Sequence, residues 1–383
     1  MIPYGRQQIS DADIAAVLET LQSDFLTQGP KVPAFEQATA KHCHAKFAVA
    51  VNSATSALHL ACLALGVGTG DLVWTSPISF VASANCARYC GADVDFVDVD
   101  PSSGLLCIHA LTDKLQQAKA AGRLPKVIIP VHLAGHSCDM QAIHALCAPL
   151  GIRIIEDASH AVGAFYQGQP VGSCAYSDIV VFSFHPVKII TTAEGGMALT
   201  NDAALASQLQ LLRSHGITRN PDDMTEASHG PWYYQQVALG FNYRMTELQA
   251  ALGLSQLDRL AQFVQERIRL TGLYQQLLQG LPLELPAPAV DGVSSWHLYI
   301  IRLHDATTRL RVFEALRASG IGVNVHYIPI HTQPDYQALG FDWGMFPNAE
   351  KFYSEIISLP LYAGLTDDDV HTVVAAVKAS LAG

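Results

Sequence analysis

Lys188 sits in the run FSFHPVKIITTAEGG (182–196), just past an apolar β-type stretch and between Val187 and the pair Ile189–Ile190. Burying an ammonium ion is costly, so a lysine in such company is exposed, paired or lowered in pKa. A lowered pKa leaves a neutral amine, the form that attacks an aldehyde to make an imine. Five residues earlier Ser183 offers a hydroxyl, and Gly195 and Gly196 permit tight backbone approach. A second run, RIIEDASHAVGA (153–164), puts Asp157 at the end of an apolar stretch, where ligands bind in open α/β sheets. His160 follows three residues on. A third run, VNSATSALHLA (51–61), passes from a strand pattern to a helix pattern through Ala54, Thr55 and Ser56. The first amides of a helix lack internal partners and favour anions. In TSPISFVAS (75–83), Phe80 follows a proline turn and offers an aromatic face for stacking.

Taken singly, each of these residues has an ordinary structural role. Lys188 fits a loop lysine reaching solvent, Asp157 a helix N-cap, His160 a hydrogen-bonded core histidine, Phe80 core packing. Together they fit one ligand. Pyridoxal phosphate (PLP) needs an amine for its aldehyde, a carboxylate against its ring nitrogen and a cradle for its phosphate. The turn GVGTG (66–70) follows a helix and precedes a strand, the wrong order for a dinucleotide fingerprint, and reads as a turn.

These residues need elements to position them. Between Lys46 and Asn201, seven short β-type runs alternate with helix-like stretches: KFAVAVN, DLVWTS, DVDFVDVD, KVIIPVHL, RIIEDA, DIVVFSF and GGMALT. Many are apolar on successive residues, as strands buried on both faces are. The alternation predicts an α/β layer architecture with a mostly parallel sheet. Helical patterns dominate after Asn201, first DAALASQLQLLRSHG, then a long run from Arg244 to Gly280 that fits two helices or one bent helix. The Pro-rich LPLELPAPAVDG reads as a connection between domains. WHLYIIRL then reads as a strand, TTRLRVFEALRASG as a helix, GVNVHYIP as another strand, and DDDVHTVVAAVKASLAG as a final helix. The domains expected are residues 1–265, a large α/β domain whose N-terminal segment contributes to the substrate site, and residues 266–383, a smaller α+β domain.

The motif order SATSALH, PISFVA, EDASHAVGA, SFHPVKIITTAEGG, GFNYRMTELQAALG resembles the sugar aminotransferases of the DegT/DnrJ/EryC1/StrS family, over nearly the whole chain. That resemblance implies the PLP-dependent fold type I, the aspartate-aminotransferase architecture. LTQGPKVPAFE, LRSHGI and NVHYIPI are shared with the branch that aminates C4 of UDP-4-keto-6-deoxy-N-acetyl-altrosamine in pseudaminic acid biosynthesis. By resemblance Lys188 is the Schiff-base lysine and proton shuttle, and Asp157 the partner of the pyridine nitrogen. His160, where many members have Gln, faces the cofactor oxygen. Ala54, Thr55, Ser56 and Ser183 are phosphate binders, and Phe80 is the stacking residue. Much of the family has Gly before the Thr of the phosphate loop; the pseudaminic branch shares Ala54, which still supplies its amide. Asn242 resembles a residue reaching the neighbouring subunit's phosphate, which implies a homodimer with shared active sites. Tyr4, the segment Asp24, Phe25, Leu26 and Thr27, then His215, and the segment Asn324, Val325, His326 and Tyr327 match substrate-contacting positions. L-glutamate as amino donor is likewise implied by the family, as is a nucleotide-linked keto sugar as acceptor.

Composition sets the outer bounds. With 383 residues, half of them hydrophobic, the chain can bury a large core. A formal net charge of −11 and no Lys/Arg-rich run speak against nucleic-acid binding. No apolar stretch has membrane-spanning length, and the start MIPYGRQQISDADI does not read as a signal peptide, so a cytoplasmic protein is expected. Eight cysteines without a CxxC pair read as reduced core thiols, with no metal site. Two rivals are weighed against the aminotransferase. A sugar dehydratase on this fold replaces the Schiff-base lysine by histidine, and Lys188 is present. A non-catalytic sensor binding PLP or a sugar nucleotide usually carries a DNA-binding extension, for which no segment precedes Tyr4.

Overall fold

The computed structural model describes residues 1–289 and 291–382; Val290 and Gly383, the last residue of the expected C-terminal domain, lie outside them. All seven β-type runs form strands of one sheet. They are β1 (Phe47–Val51), β2 (Leu72–Thr75), β3 (Asp93–Phe96), β4 (Val127–Ile129), β5 (Arg153–Asp157), β6 (Ile179–Ser183) and β7 (Gly196–Thr200). Their spatial order is β1-β7-β6-β5-β4-β2-β3. Neighbours from β6 to β3 run parallel, and β7 alone is antiparallel to both its neighbours. Ser183 ends β6 opposite Gly196, and Asp157 ends β5 opposite Val181.

Helices cover both faces, which is why the strands lack polar alternation. Helix α1 (Asp11–Leu21) carries a capping box from Ser10, and α2 (Lys31–Cys43) buries Phe35 against the sheet. Helix α3 (Ala54–Ala64) follows β1, and α4 (Ala82–Tyr89) follows β2. The apolar residues of these two helices join Val49, Val73, Ile129 and Val181 in one core, while Ala48, Ala50, Val180 and Phe182 face a second core on the other side. That alternation along single strands places β1 and β6 inside the molecule.

The long run after Arg244 is two helices, α5 (Glu247–Leu257) and α6 (Leu260–Leu278), broken at Asp258–Arg259. Helix α6 spans two cores. Leu260, Phe263 and Val264 pack with the large sheet, whereas Leu270, Tyr274 and Leu278 pack with the C-terminal residues. Between them the buried Arg267 donates to the carbonyls of Trp296, His297 and Leu361, tying the helix to two chain segments. The C-terminal part has a three-stranded antiparallel sheet of β8 (Leu283–Glu284), β9 (Tyr299–Leu303) and β10 (Ile356–Leu359), in the order β8-β9-β10.

One expected strand does not form. GVNVHYIP makes one isolated bridge, at Asn324 with Ser358, and a second, Ile321 with Ile2, lies just before it. After that exchange with Ser358, the chain leaves the sheet and turns the side chains of 324–327 toward the cavity described below. The strand beside β9 is instead Ile356–Leu359, an apolar segment too short to stand out by pattern. Among the described residues no helix is long and apolar enough to cross a membrane, and the eight cysteines are unbridged.

Candidate active site

A cavity of about 740 Å³ opens at the C-terminal ends of β4, β5 and β6, closed from the other side by residues 324–328 and Tyr4. Its wall brings together most of the expected constellation: Lys188, Asp157, His160, Ser183, Ala54, Thr55, Phe80, Tyr4, and Asn324 through Tyr327.

Lys188 follows β6 in a loop pinned at its base, where Phe184 donates to the Gly195 carbonyl and Thr192 donates to that of Phe184. Burial holds the lysine amine down to about 8, and Asp157 opposes the shift without cancelling it. Near neutrality a usable fraction of this amine is free base, as imine formation needs. Asp157 is buried and fixed through both oxygens. Oδ1 accepts from the Ser159 amide at 3.1 Å, and Oδ2 accepts from the Ser83 hydroxyl at 2.5 Å.

His160 accepts at Nδ1 from the Ala134 amide, 3.3 Å away. A ring nitrogen that accepts carries no proton, so the proton is on Nε2, which donates to Tyr327 Oη at 2.9 Å. Burial, then Lys188 and His326, push the His160 pKa well below the ordinary imidazole value, in keeping with a neutral ring. His297 lies beside it, ring centres 4.4 Å apart, and burial keeps it neutral too. Tyr327 is raised by burial and by Asp157 and stays protonated. Phe80 stands at the mouth, 59% exposed, with its ring 6.5 Å from that of Tyr327. An aromatic left this open is available to stack on a planar ligand.

The anion cradle is the N-terminus of α3. Ser53 caps it by accepting from the Ser56 amide at 3.1 Å, which leaves the amides of Ala54 and Thr55 aimed outward. Strand β7 presses close behind: a Cβ on Gly196 would lie 2.5 Å from the Ser53 carbonyl carbon and 2.6 Å from the Ala54 nitrogen. Only glycine permits that approach. Ser56 departs from expectation. Its hydroxyl donates to Asn52 Oδ1 at 2.7 Å and it does not line the cavity, because the cap geometry turns it inward.

Other expected residues lie off this cavity. Asn242 and His215 are exposed neighbours, joined by the Ser214–Asn242 bridge, and Asn242 reaches the cradle only through its carbonyl, which accepts from Asn52 Nδ2 at 3.4 Å. Asp24, Phe25, Leu26 and Thr27 are exposed as well. They are anchored by the buried Glu247, whose amide donates to the Leu26 carbonyl and whose carboxylate accepts from the Lys31 and Val32 amides. A single chain therefore assembles the lysine, carboxylate and cradle, and leaves these six residues outside. Sequence reasoning misses Ser53, Ser83 and Gln333 in the wall. The hydroxyl of Ser83 lies within the TSPISFVAS run, but nothing in its spacing points to Asp157, 74 residues away.

The residues fit PLP. A free amine, a doubly anchored carboxylate, an open aromatic face and a glycine-backed helix N-terminus converge on one cavity. Comparison with known proteins agrees. Over 383 aligned positions the chain is 40% identical to the spore coat polysaccharide biosynthesis protein SpsC of Bacillus subtilis (strain 168), covering 98% of this chain and 96% of SpsC. PseC of Helicobacter pylori, an aminotransferase involved in pseudaminic acid biosynthesis, superposes with a TM-score of 0.91 at 34% identity, over 100% of this chain and 99% of PseC. Spr1654 of Streptococcus pneumoniae, described as a sugar aminotransferase and solved in its PLP form, gives a TM-score of 0.91 at 31% identity, over 100% and 98% of the two chains. The model of the DegT/DnrJ/EryC1/StrS aminotransferase family matches residues 7–378, and the chain belongs to that family of PLP-dependent enzymes.

Proposed function

We propose that this enzyme transfers an amino group from L-glutamate to C4 of a nucleotide-linked 4-keto-6-deoxy sugar. UDP-4-keto-6-deoxy-N-acetyl-altrosamine, the sugar of pseudaminic acid biosynthesis, is the acceptor we favour. The observation that carries the reading is the lysine amine held at about 8 opposite a fixed carboxylate in one cavity. Support for the acceptor comes from the likeness to PseC. The likeness to SpsC, a spore coat polysaccharide protein, favours a second reading in which another dTDP-, GDP- or UDP-linked keto sugar is used.

When bound, PLP supplies an aldehyde that captures amines and a ring that withdraws electrons from the adjacent carbon. The protein does the rest. Lys188 Nζ, held as a largely dry amine in the cavity, would serve as the base that takes the proton from the donor's α-carbon and as the acid that delivers one to the sugar C4. Asp157, held by Ser83 and Ser159, would keep the ring nitrogen protonated. Ala54 and Thr55 would hold the phosphate, and Phe80 would cover the ring face. Residues 324–327 and Tyr4 shape the space left for the sugar.

We also assign a homodimer, in the cytoplasm, as the working form. Asn242 and His215, with Asp24 to Thr27, would then act in the partner's site. Exposed apolar residues lie on the same segments: Phe25 and Leu26 on one, Trp232, Tyr234 and Leu239 beside the other. Such a grouping suits a second copy of the chain. A panel of nucleotide-linked keto sugars with glutamate, followed by NMR of the product at C4, tests the substrate assignment. Amination of UDP-linked 4-keto-6-deoxy-N-acetyl sugars is expected; turnover confined to dTDP- or GDP-linked sugars contradicts it.

A further inference from the structure

Resting on the aminotransferase reading, a second layer of structure stands behind Asp157. The Ser83 Oγ donates to Asp157 Oδ2 at 2.5 Å, and Ser79 Oγ lies 2.6 Å from Ser83 Oγ. Ser83 is fully buried and Ser79 is 4% exposed. The direction of this chain follows from proton counting. An ionised carboxylate only accepts, so the single Ser83 proton points at Asp157. Ser83 oxygen must then accept from Ser79, whose proton points inward. The order is Ser79 to Ser83 to Asp157.

Local structure explains why the hydroxyls stand there. The loop after β2 ends in a turn in which the Ser83 amide donates to the Phe80 carbonyl and that of Asn85 to Val81. This opens α4 and places residues 79 and 83, four apart, on one side. Strand β2 lies two positions from β5 in the sheet, separated by β4, so the start of α4 faces the end of β5 across one strand. Lys188, His160 and Tyr327, with Tyr4, His185, Glu194 and His326, are the other titratable groups lining the wall around Asp157. None of them is within hydrogen-bonding distance of its carboxylate.

We infer that Ser79 and Ser83 are positioning residues, a two-hydroxyl relay that fixes the plane of the Asp157 carboxylate and so keeps the cofactor's ring nitrogen protonated. Without Ser83, only the Ser159 amide holds the carboxylate, which then turns about its Cβ–Cγ bond. A charge-assisted hydrogen bond is among the stronger ones, so its loss is felt at the cofactor.

The test compares wild-type holoenzyme with Ser83→Ala and Ser79→Ala. Two readouts are needed: the PLP dissociation constant of the apoprotein, and the pH midpoint of the visible absorption band of the holoenzyme. For Ser83→Ala, affinity is expected to fall about tenfold, and the midpoint to move upward by about half a pH unit or more. The upward sign follows because a less cationic ring leaves the lysine–cofactor linkage more basic. Ser79→Ala is expected to give a smaller upward shift, and it carries the test alone if Ser83→Ala does not fold. Superposable titrations for wild type and both folded variants would overturn the relay. A wild-type holoprotein with no visible band would instead defeat the cofactor reading, so the two failures are told apart.

Discussion

Two regions that the resemblance assigns to one active site differ in how complete a single chain makes them. At the ends of β5 and β6 everything is in place: Lys188, Asp157, the α3 cradle and His160 share one cavity, with Asp157 and His160 each fixed by its own buried hydrogen bonds. Around Asp24–Thr27, His215 and Asn242 the side chains are exposed and touch no part of it. The first region is built on strand ends, where a packed sheet fixes position. The second is built on loops, whose shape is set by local anchors such as Glu247 and which need a further surface to act on. The lesson is that residues placed by strand ends converge within one chain, whereas residues placed by these outer loops do not reach the cavity.

The largest effects should come from the complete region. Lys188→Ala should lower turnover about 10³-fold or more, since one amine serves both covalent capture and proton transfer. Asp157→Asn should cost about 10²-fold in turnover and release cofactor on dialysis, measured by absorbance of the retained protein. The comparison itself is sharpened by mixing subunits. If Asn242 serves the partner's site, co-refolded Lys188→Ala and Asn242→Ala chains should show activity well above either variant alone. If mixing restores nothing, the sharing of sites between subunits is wrong.

A smaller effect separates two neighbours on α3. Ser56→Ala removes a hydroxyl spent on Asn52 and should cost about 1 kcal/mol of stability, seen as a slightly lower Tm, with little change in PLP affinity. Thr55→Ala should do the reverse. The pH dependence follows from Lys188. Its folded pKa of about 8 is below the value of a free lysine, so the charged form is disfavoured in the folded state, and the neutral amine gains as pH rises through that value. The rate at which apoprotein captures PLP should climb with pH and level off above about 8. A rate still rising steeply beyond pH 10 would mean an ordinary solvent-exposed lysine.

Much of the fold is legible in the amino-acid sequence. The seven strands are readable because burial on both faces writes an unbroken apolar run, and Asp157 and Lys188 are readable because they follow or end such runs. The pairing of His160 with Tyr327 is not, since the two are 167 residues apart and meet only after the C-terminal part folds back. GVNVHYIP resembles a strand in composition, yet its backbone pairing with Ser358 stops after Asn324. Ser56 has the hydroxyl of a phosphate ligand, but the cap at Ser53 decides which groups of the α3 N-terminus face out.

The most direct measurement is borohydride reduction of the holoprotein followed by peptide mapping by mass spectrometry. A single reduced cofactor adduct on Lys188 is expected, lost in the Lys188→Ala variant. An adduct on another lysine, or none in a protein that has taken up PLP, would contradict the assignment of this amine as the group that captures the cofactor.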